Sequence, residues 1–173
     1  MTAIATTRKP RRLRGSTRKA WLVTHIVASG AWIGLDVVMA VLVFTAMFTG
    51  DASVAATSYQ ALRLFAVWPL LIAGLVCLAS GVVLGLGTKY GLIRYWWVAV
   101  KLVLNIVLTA LGVLALRPGV DEAAVYGRLL AAGDAVGPAP DLVFPPIVSP
   151  TCLLIAVLLS VYKPWGRTPK GSA

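Results

Sequence analysis

Four stretches of this chain are too long and too apolar for ordinary elements of a soluble core: Trp21 to Phe48, Leu64 to about Gly87, Tyr95 to Leu116, and about Leu142 to Tyr162. A helix needs about 20 apolar residues to cross the roughly 30 Å hydrocarbon layer of a bilayer, and each run supplies them. Hydrophobic residues fill 59% of the 173 positions and charged ones only 13%, more apolar surface than one core of this size can bury, so the chain needs lipid as its solvent. The expected fold class is all-α, a polytopic membrane protein built as a four-transmembrane-helix bundle. A single transmembrane domain over 20–165, with spans at about 21–48, 64–87, 95–116 and 142–162, uses nearly the whole length. A basic tail at 1–19 and a short tail at 166–173 flank it, and no room remains for a separate catalytic domain.

Proline positions qualify two of the spans. Pro69 stands in the first turns of the second, which predicts a kink or a late helix start there. Pro145, Pro146 and Pro150 crowd the start of the fourth, and a missing amide donor is tolerated only in a first turn, so the helix is expected to begin near Pro146 or Pro150.

Orientation follows from lysine and arginine. Arg8, Lys9, Arg11, Arg12, Arg14, Arg18 and Lys19 precede the first span, Lys89 and Arg94 join spans two and three, and Lys163, Arg167 and Lys170 follow the fourth. The opposite side carries only Arg63, Arg117 and Arg128, together with Asp51, Asp121, Glu122, Asp134 and Asp141. That bias predicts a multi-pass protein of the plasma membrane with both termini cytoplasmic. Trp21, Tyr90, Tyr95, Trp96, Trp97, Tyr162 and Trp165 fall where the cytoplasmic interface would lie, the usual place for an aromatic belt. Topology therefore explains the net charge of +10 without nucleic acid, since the positive residues stand beside hydrophobic runs. The basic start also has the form of a secretory signal, but about 28 apolar residues exceed a signal's core and suit a retained helix. An acid-free, arginine-rich start leaves an organelle address open, while its simplest use is to orient the chain and attract anionic lipids.

The one substantial loop expected is the extracytoplasmic segment 117–141. Asp121 is placed to cap a short helix from Glu122 to Ala132, with Val125, Leu129 and Leu130 on one side, before Gly137-Pro138-Ala139-Pro140 breaks it. A plain connection between two spans is the expected role, and a lid on the membrane surface the alternative.

Residues that are costly to insert into lipid are the candidate site. They are His25 and Asp36 in the first span and Lys101 and Asn105 in the third, with Thr109 completing a polar stripe at i, i+4 and i+8. His25 and Asp36 share a helix face about 16 Å apart. Measured from Trp21 and Tyr95, His25 lies about 6 Å and Lys101 about 9 Å deep, whereas Asp36 lies about 22 Å deep, level with Thr109. Lys101 is expected to snorkel to the interface or reach towards Asn105. Asp36 is expected either to work as a proton- or cation-binding carboxylate or to pin the bundle by bonding Asn105, Thr109 or nearby backbone. Gly30 with Gly34, and Gly81 with Gly85 extended by Gly74, space small residues for close helix packing, within the chain or between copies.

Metal and cofactor chemistry finds little support. No phosphate loop, catalytic carboxylate pair, activated nucleophile or metal cluster is recognisable, so no cofactor is expected and catalysis is not the leading reading. Cys77 and Cys152 sit in apolar runs as small buried hydrophobes. His25 is the only histidine, and copper or haem through it would need a second ligand such as Met39 or Met47 from another position, a dimer, or a partner subunit.

His25, Trp32 seven residues later and Gly34 together resemble the start of the copper-resistance-D-like membrane superfamily. The run Leu84 to Pro118, LGLGTKYGLIRYWWVAVKLVLNIVLTALGVLALRP, resembles an uncharacterised family of four-helix integral membrane proteins common in actinobacteria. The second likeness covers most of the chain and implies four spans, basic ends and a plasma-membrane location. The first implies a copper role, from which the single histidine departs. The reading that follows is a non-enzymatic bundle serving as a subunit or accessory component of a membrane assembly, as a homo-oligomer or with other chains. Its alternatives are a small ion- or proton-coupled transporter using Asp36, and a copper- or haem-associated protein using His25.

Overall fold

The computed structural model describes residues 13–88, 90–134 and 136–169, and among them every regular element is helical. Arg8, Lys9, Arg11, Arg12, Lys89 and Lys170, half of the basic residues on which the expected orientation rests, lie outside the described residues. Four helical stretches are long and apolar enough to cross a membrane: Gly15–Phe48, Ala52–Leu86, Trp96–Ala132 and Pro145–Tyr162.

Helix α1, Gly15–Phe48, has 34 residues and is about 51 Å long at 1.5 Å per residue, well beyond the thickness of a hydrocarbon layer. It buries Ala28, Trp32, Asp36, Met39, Val43 and Ala46, one stripe at three- and four-residue spacing, and none of its residues before Ala28 is buried. Asp51 then caps α2, Ala52–Phe65: its Oδ1 accepts from the Ser53 amide at 2.8 Å and the Val54 amide at 3.3 Å. The expected spans leave 49–63 as a connection, because its serines, threonine and glutamine break the apolar run.

Helix α3, Trp68–Leu86, starts late, with Pro69 in its first turn and a break at Ala66 and Val67. A proline there lacks the amide that would continue α2 into α3. Helix α4, Trp96–Leu111, does not end where the third span was expected to end. It passes through a π-helical turn, Gly112–Leu116, directly into α5, Arg117–Ala132. Pro118 supplies the physical reason: its ring crowds the carbonyl four residues back and it has no amide to bond there, so the turn widens and the Arg117 amide reaches the Gly112 carbonyl instead. Asp121 is consequently a mid-helix residue, and its carboxylate pairs with Arg63 of α2 at 3.4 Å rather than capping a helix. Gly133, at φ 78°, closes α5, with the Gly133 and Asp134 amides bonding back to Leu130 and Leu129. Helix α6, Pro145–Tyr162, begins on its proline pair, keeps Pro150 inside, and ends at Lys163.

The two ends of the bundle are built differently. At the distal end α2 and α5 run antiparallel and nearly touch. A side chain at Gly127 would meet the Ala56 carbonyl at 2.8 Å and Tyr59 Cβ at 3.0 Å, Gln60 Nε2 donates to the Gly127 carbonyl at 3.3 Å, and Tyr59 meets Tyr126 edge-on at 5.3 Å. The well-packed core lies in this half and draws Met39, Val43, Leu62, Leu70, Leu116 and Val120 together. At the opposite end Leu13, ahead of α1, and Thr168, beyond α6, meet the α3–α4 connection: the Leu13 amide bonds Gly87, and Thr168 bonds Arg94 through its amide and Ile93 through its hydroxyl. In this terminal half α4 buries only Trp97 besides the mid-span Leu108.

Candidate functional site

The terminal half is hollow. A cavity of about 610 Å³ lies between the first half of α1, the second half of α3, the first half of α4 and the second half of α6. Its wall is mainly aliphatic, with Leu22, Ile26, Leu84, Leu102 and Leu153 among the lining side chains, while His25, Ser29, Lys101, Asn105 and Ser160 bring polar atoms to it. Three of the five polar residues singled out from sequence therefore converge on one space. Thr109 and Asp36 do not.

His25 is held by α3. Its Nδ1 lies 3.0 Å from the Cys77 carbonyl and 3.0 Å from Ser80 Oγ, and the Ser80 hydroxyl itself donates to the Val76 carbonyl at 2.7 Å. A carbonyl only accepts, so Nδ1 carries a proton in that bond. The ring fits against α3 because Gly81 has no side chain: a Cβ there would stand 3.2 Å from His25 Cε1. Ser29, one turn on, bonds the His25 carbonyl at 2.8 Å and lies 3.3 Å from Cys77 Sγ.

Lys101 points across to α6. Its Nζ donates to Ser160 Oγ at 2.8 Å and sits 4.7 Å from the centre of the Trp97 ring, one turn nearer the terminal end. Asn105 does not receive it; the Asn105 Oδ1 instead accepts from Thr109 at 3.4 Å. Thr109 packs where Gly74 leaves space, 3.1 Å from the position a Cβ would take, beside the Trp32 ring. Gly74, Gly81 and Gly85 thus serve close approach within the chain, whereas nothing lies within 4 Å of a side chain built on Gly30 or Gly34.

Asp36 belongs to a separate place, at the contact of α1 with α6. Asn105, Thr109 and nearby backbone are the partners expected from sequence, and its hydrogen bond is instead to Ser149, whose Oγ donates to Oδ2 at 2.7 Å. Asp36 is fully buried, and its Oδ1 and the Trp32 Nε1 one turn earlier are buried polar atoms with no hydrogen-bond partner. Stripe geometry on one helix could not reveal this, because it fixes the face and depth of Asp36 and not which neighbour crosses there.

Ser149, Ser160 and Ser80 are not singled out by the sequence, and Trp97 is marked there only as an interface aromatic. A serine is cheap in an apolar helix because its hydroxyl can bond the carbonyl four residues back, as Ser160 does to Ala156 at 2.9 Å, so its presence carries little signal. No group of three or more His, Cys, Asp or Glu side chains suited to a metal ion occurs among the described residues. Met39 and Met47 lie about 21 and 33 Å along the same helix from His25, too far to share an ion with it.

No family model, curated protein or solved structure matches the chain. The geometry of the cavity and of Asp36 therefore carries the functional argument alone.

Proposed function

We propose that the chain is a non-enzymatic four-helix membrane protein that binds a membrane amphiphile in its terminal-half cavity and acts as a subunit or accessory component of a membrane assembly. The single observation behind this reading is the 610 Å³ space with aliphatic walls and a few converging polar groups. Small-molecule sites have that size and that balance: apolar surface supplies affinity, and sparse polar groups fix orientation. Cys77 Sγ stands 3.8 Å from His25 Nδ1 at the cavity wall, but that nitrogen donates to the Cys77 carbonyl and has no lone pair to take a thiol proton, so holding a ligand is the chemistry the cavity suits better. The lysine and arginine bias supports a plasma-membrane protein with the cavity end, and both termini, in the cytoplasm. The open strip at Gly30 and Gly34 supports contact with another helix, from a second copy or from a partner.

Native mass spectrometry on protein gently extracted from its own membrane tests the reading. Stoichiometric mass in the lipid range is the expected result, accompanied by a second chain where the assembly survives. A bare chain that takes up no lipid after reconstitution would overturn it. For orientation, a cysteine placed before Gly15 should react with a membrane-impermeant maleimide only after cells are opened.

A second reading, proton-coupled transport, is favoured by the unpaired, fully buried Oδ1 of Asp36. It requires α1 and α6 to part at Ser149, since Asp36 does not line the cavity. Proteoliposome flux that is unchanged in Asp36→Asn would dispose of it.

A further inference from the structure

Three features of the cavity say more about what enters it. The first is its opening. The lining residues of α3 and α4 are at least partly covered, but Ile26 is 60% exposed on α1 and Val161 is 67% exposed on α6, with Gly30 and Val157 exposed between them. Helices α1 and α6 meet at Asp36 and Ser149 and leave a lateral gap below that contact. A gap rimmed by exposed aliphatic side chains at membrane depth faces lipid, so a ligand comes sideways from the bilayer leaflet at the terminal end.

The second feature is charge. Lys101 and Arg18 line the cavity, and no aspartate or glutamate does. Lys101 has no carboxylate partner among the described residues: the ion pair found there is Arg63 with Asp121, at the far end. An ammonium has three donors, and Ser160 takes one. A cation kept about 9 Å inside a membrane without a counter-ion is costly, and an anion brought in by a ligand would offset that cost. The third feature is the aromatic floor. Tyr90 and Trp97 line the cavity and meet edge-on at 5.2 Å, with Tyr95 packed against them at 5.6 and 6.4 Å, and the Trp97 ring holds the Lys101 ammonium at 4.7 Å.

Resting on the amphiphile reading above, we infer that the cavity takes one anionic phospholipid from this leaflet, its phosphate drawn in against Lys101 and Arg18 and an acyl chain lying in the gap between α1 and α6. His25 and Asn105 add hydrogen-bonding capacity along the cavity wall, and the aliphatic side chains receive the chain. The basic residues before the first span attract anionic lipid to the surface in general, whereas the cavity would select one molecule by its headgroup.

The test uses the full chain reconstituted in vesicles of equal phosphatidylglycerol and phosphatidylcholine, then released and weighed by native mass spectrometry. One retained phosphatidylglycerol is expected, preferred about tenfold over phosphatidylcholine, the scale of one charge-assisted hydrogen bond. Lys101→Gln keeps a side chain able to meet Ser160 and should retain a lipid without the preference. Gly30→Leu and Val157→Trp fill the gap from its two rims, at positions exposed enough to leave the fold intact, and should retain none; an unchanged thermal unfolding midpoint verifies that they fold. One lipid held without headgroup preference, or a preference that survives Lys101→Gln, would overturn the phospholipid inference while leaving the amphiphile reading standing. Retention of no lipid of any class would overturn both. Equal displacement by millimolar glycerol 3-phosphate would assign the site to a free phosphate compound and overturn the lipid as its source.

Discussion

Asp36 shows how far one residue can be reasoned about inside a bundle of apolar helices. A carboxyl that is wholly buried, with one hydroxyl donor and no cation, behaves as an interhelical hydrogen-bonding group. Asparagine offers the same shape and an acceptor for Ser149, so Asp36→Asn should insert and fold as the parent does. Asp36→Ala leaves the Ser149 hydroxyl without its partner and should lower stability by about 1 kcal/mol, in line with interhelical hydrogen bonds measured in membranes. A double-mutant cycle with Ser149→Ala, followed by thermal unfolding in detergent, would isolate the coupling. Additive effects would show that the bond contributes nothing to the bundle.

At the scale of elements, α2 and α5 are the pair that matters. Their crossing is made by Ala55, Ala56, Ala123, Ala124 and Gly127, residues small enough for two backbones to approach closely. Gly127→Leu puts a side chain against the Ala56 carbonyl, which cannot move aside as a flexible side chain would. It should cost about 1 to 3 kcal/mol, the usual penalty for overpacking, seen as a lower unfolding midpoint. The start of α2 should respond to acid. Hydrogen bonds from the Ser53 hydroxyl and amide and the Val54 amide hold the Asp51 carboxyl below the usual carboxylate range. A depressed folded value means that the contribution of the cap is complete above the ordinary carboxylate range and is lost as pH falls through the lower, folded value. After correction for intrinsic exchange, the Ser53 and Val54 amides should lose protection against hydrogen exchange in that acidic window. Asp51→Ala should remove the pH dependence altogether, and if it does not, the cap is not its source.

The whole molecule is asymmetric, packed at one end and hollow at the other, and substitutions should report that. Leu62 is fully buried in the distal core, so Leu62→Ala should cost about 2 kcal/mol or more through the void it leaves. Leu22 lines the cavity and is 43% exposed, so Leu22→Ala should change stability by less than about 0.5 kcal/mol. Chemical or thermal unfolding of the two variants side by side checks the contrast, and equal losses would contradict a hollow terminal half. Such an asymmetry suits binding: a tight distal core fixes the four helices while the far half keeps space for a ligand.

Sequence alone determined that the chain carries four helices long and apolar enough to cross a membrane, because hydrophobic run length is a one-dimensional property. The four apolar helices, the late start forced by Pro69 and the proline-led start of α6 all followed from local chemistry. The polar residues worth watching were also legible, since a charge in an apolar run is conspicuous wherever it lies. Tertiary structure alone decided what they do. It sent His25, Lys101 and Asn105 to one cavity and Asp36 to Ser149, it made a helix of 52–65, and it joined the helix expected at 122–132 to the third span through a π-helical turn. Partner choice depends on which helices cross at a given depth, and that is a property of the packed bundle, absent from any single run of residues.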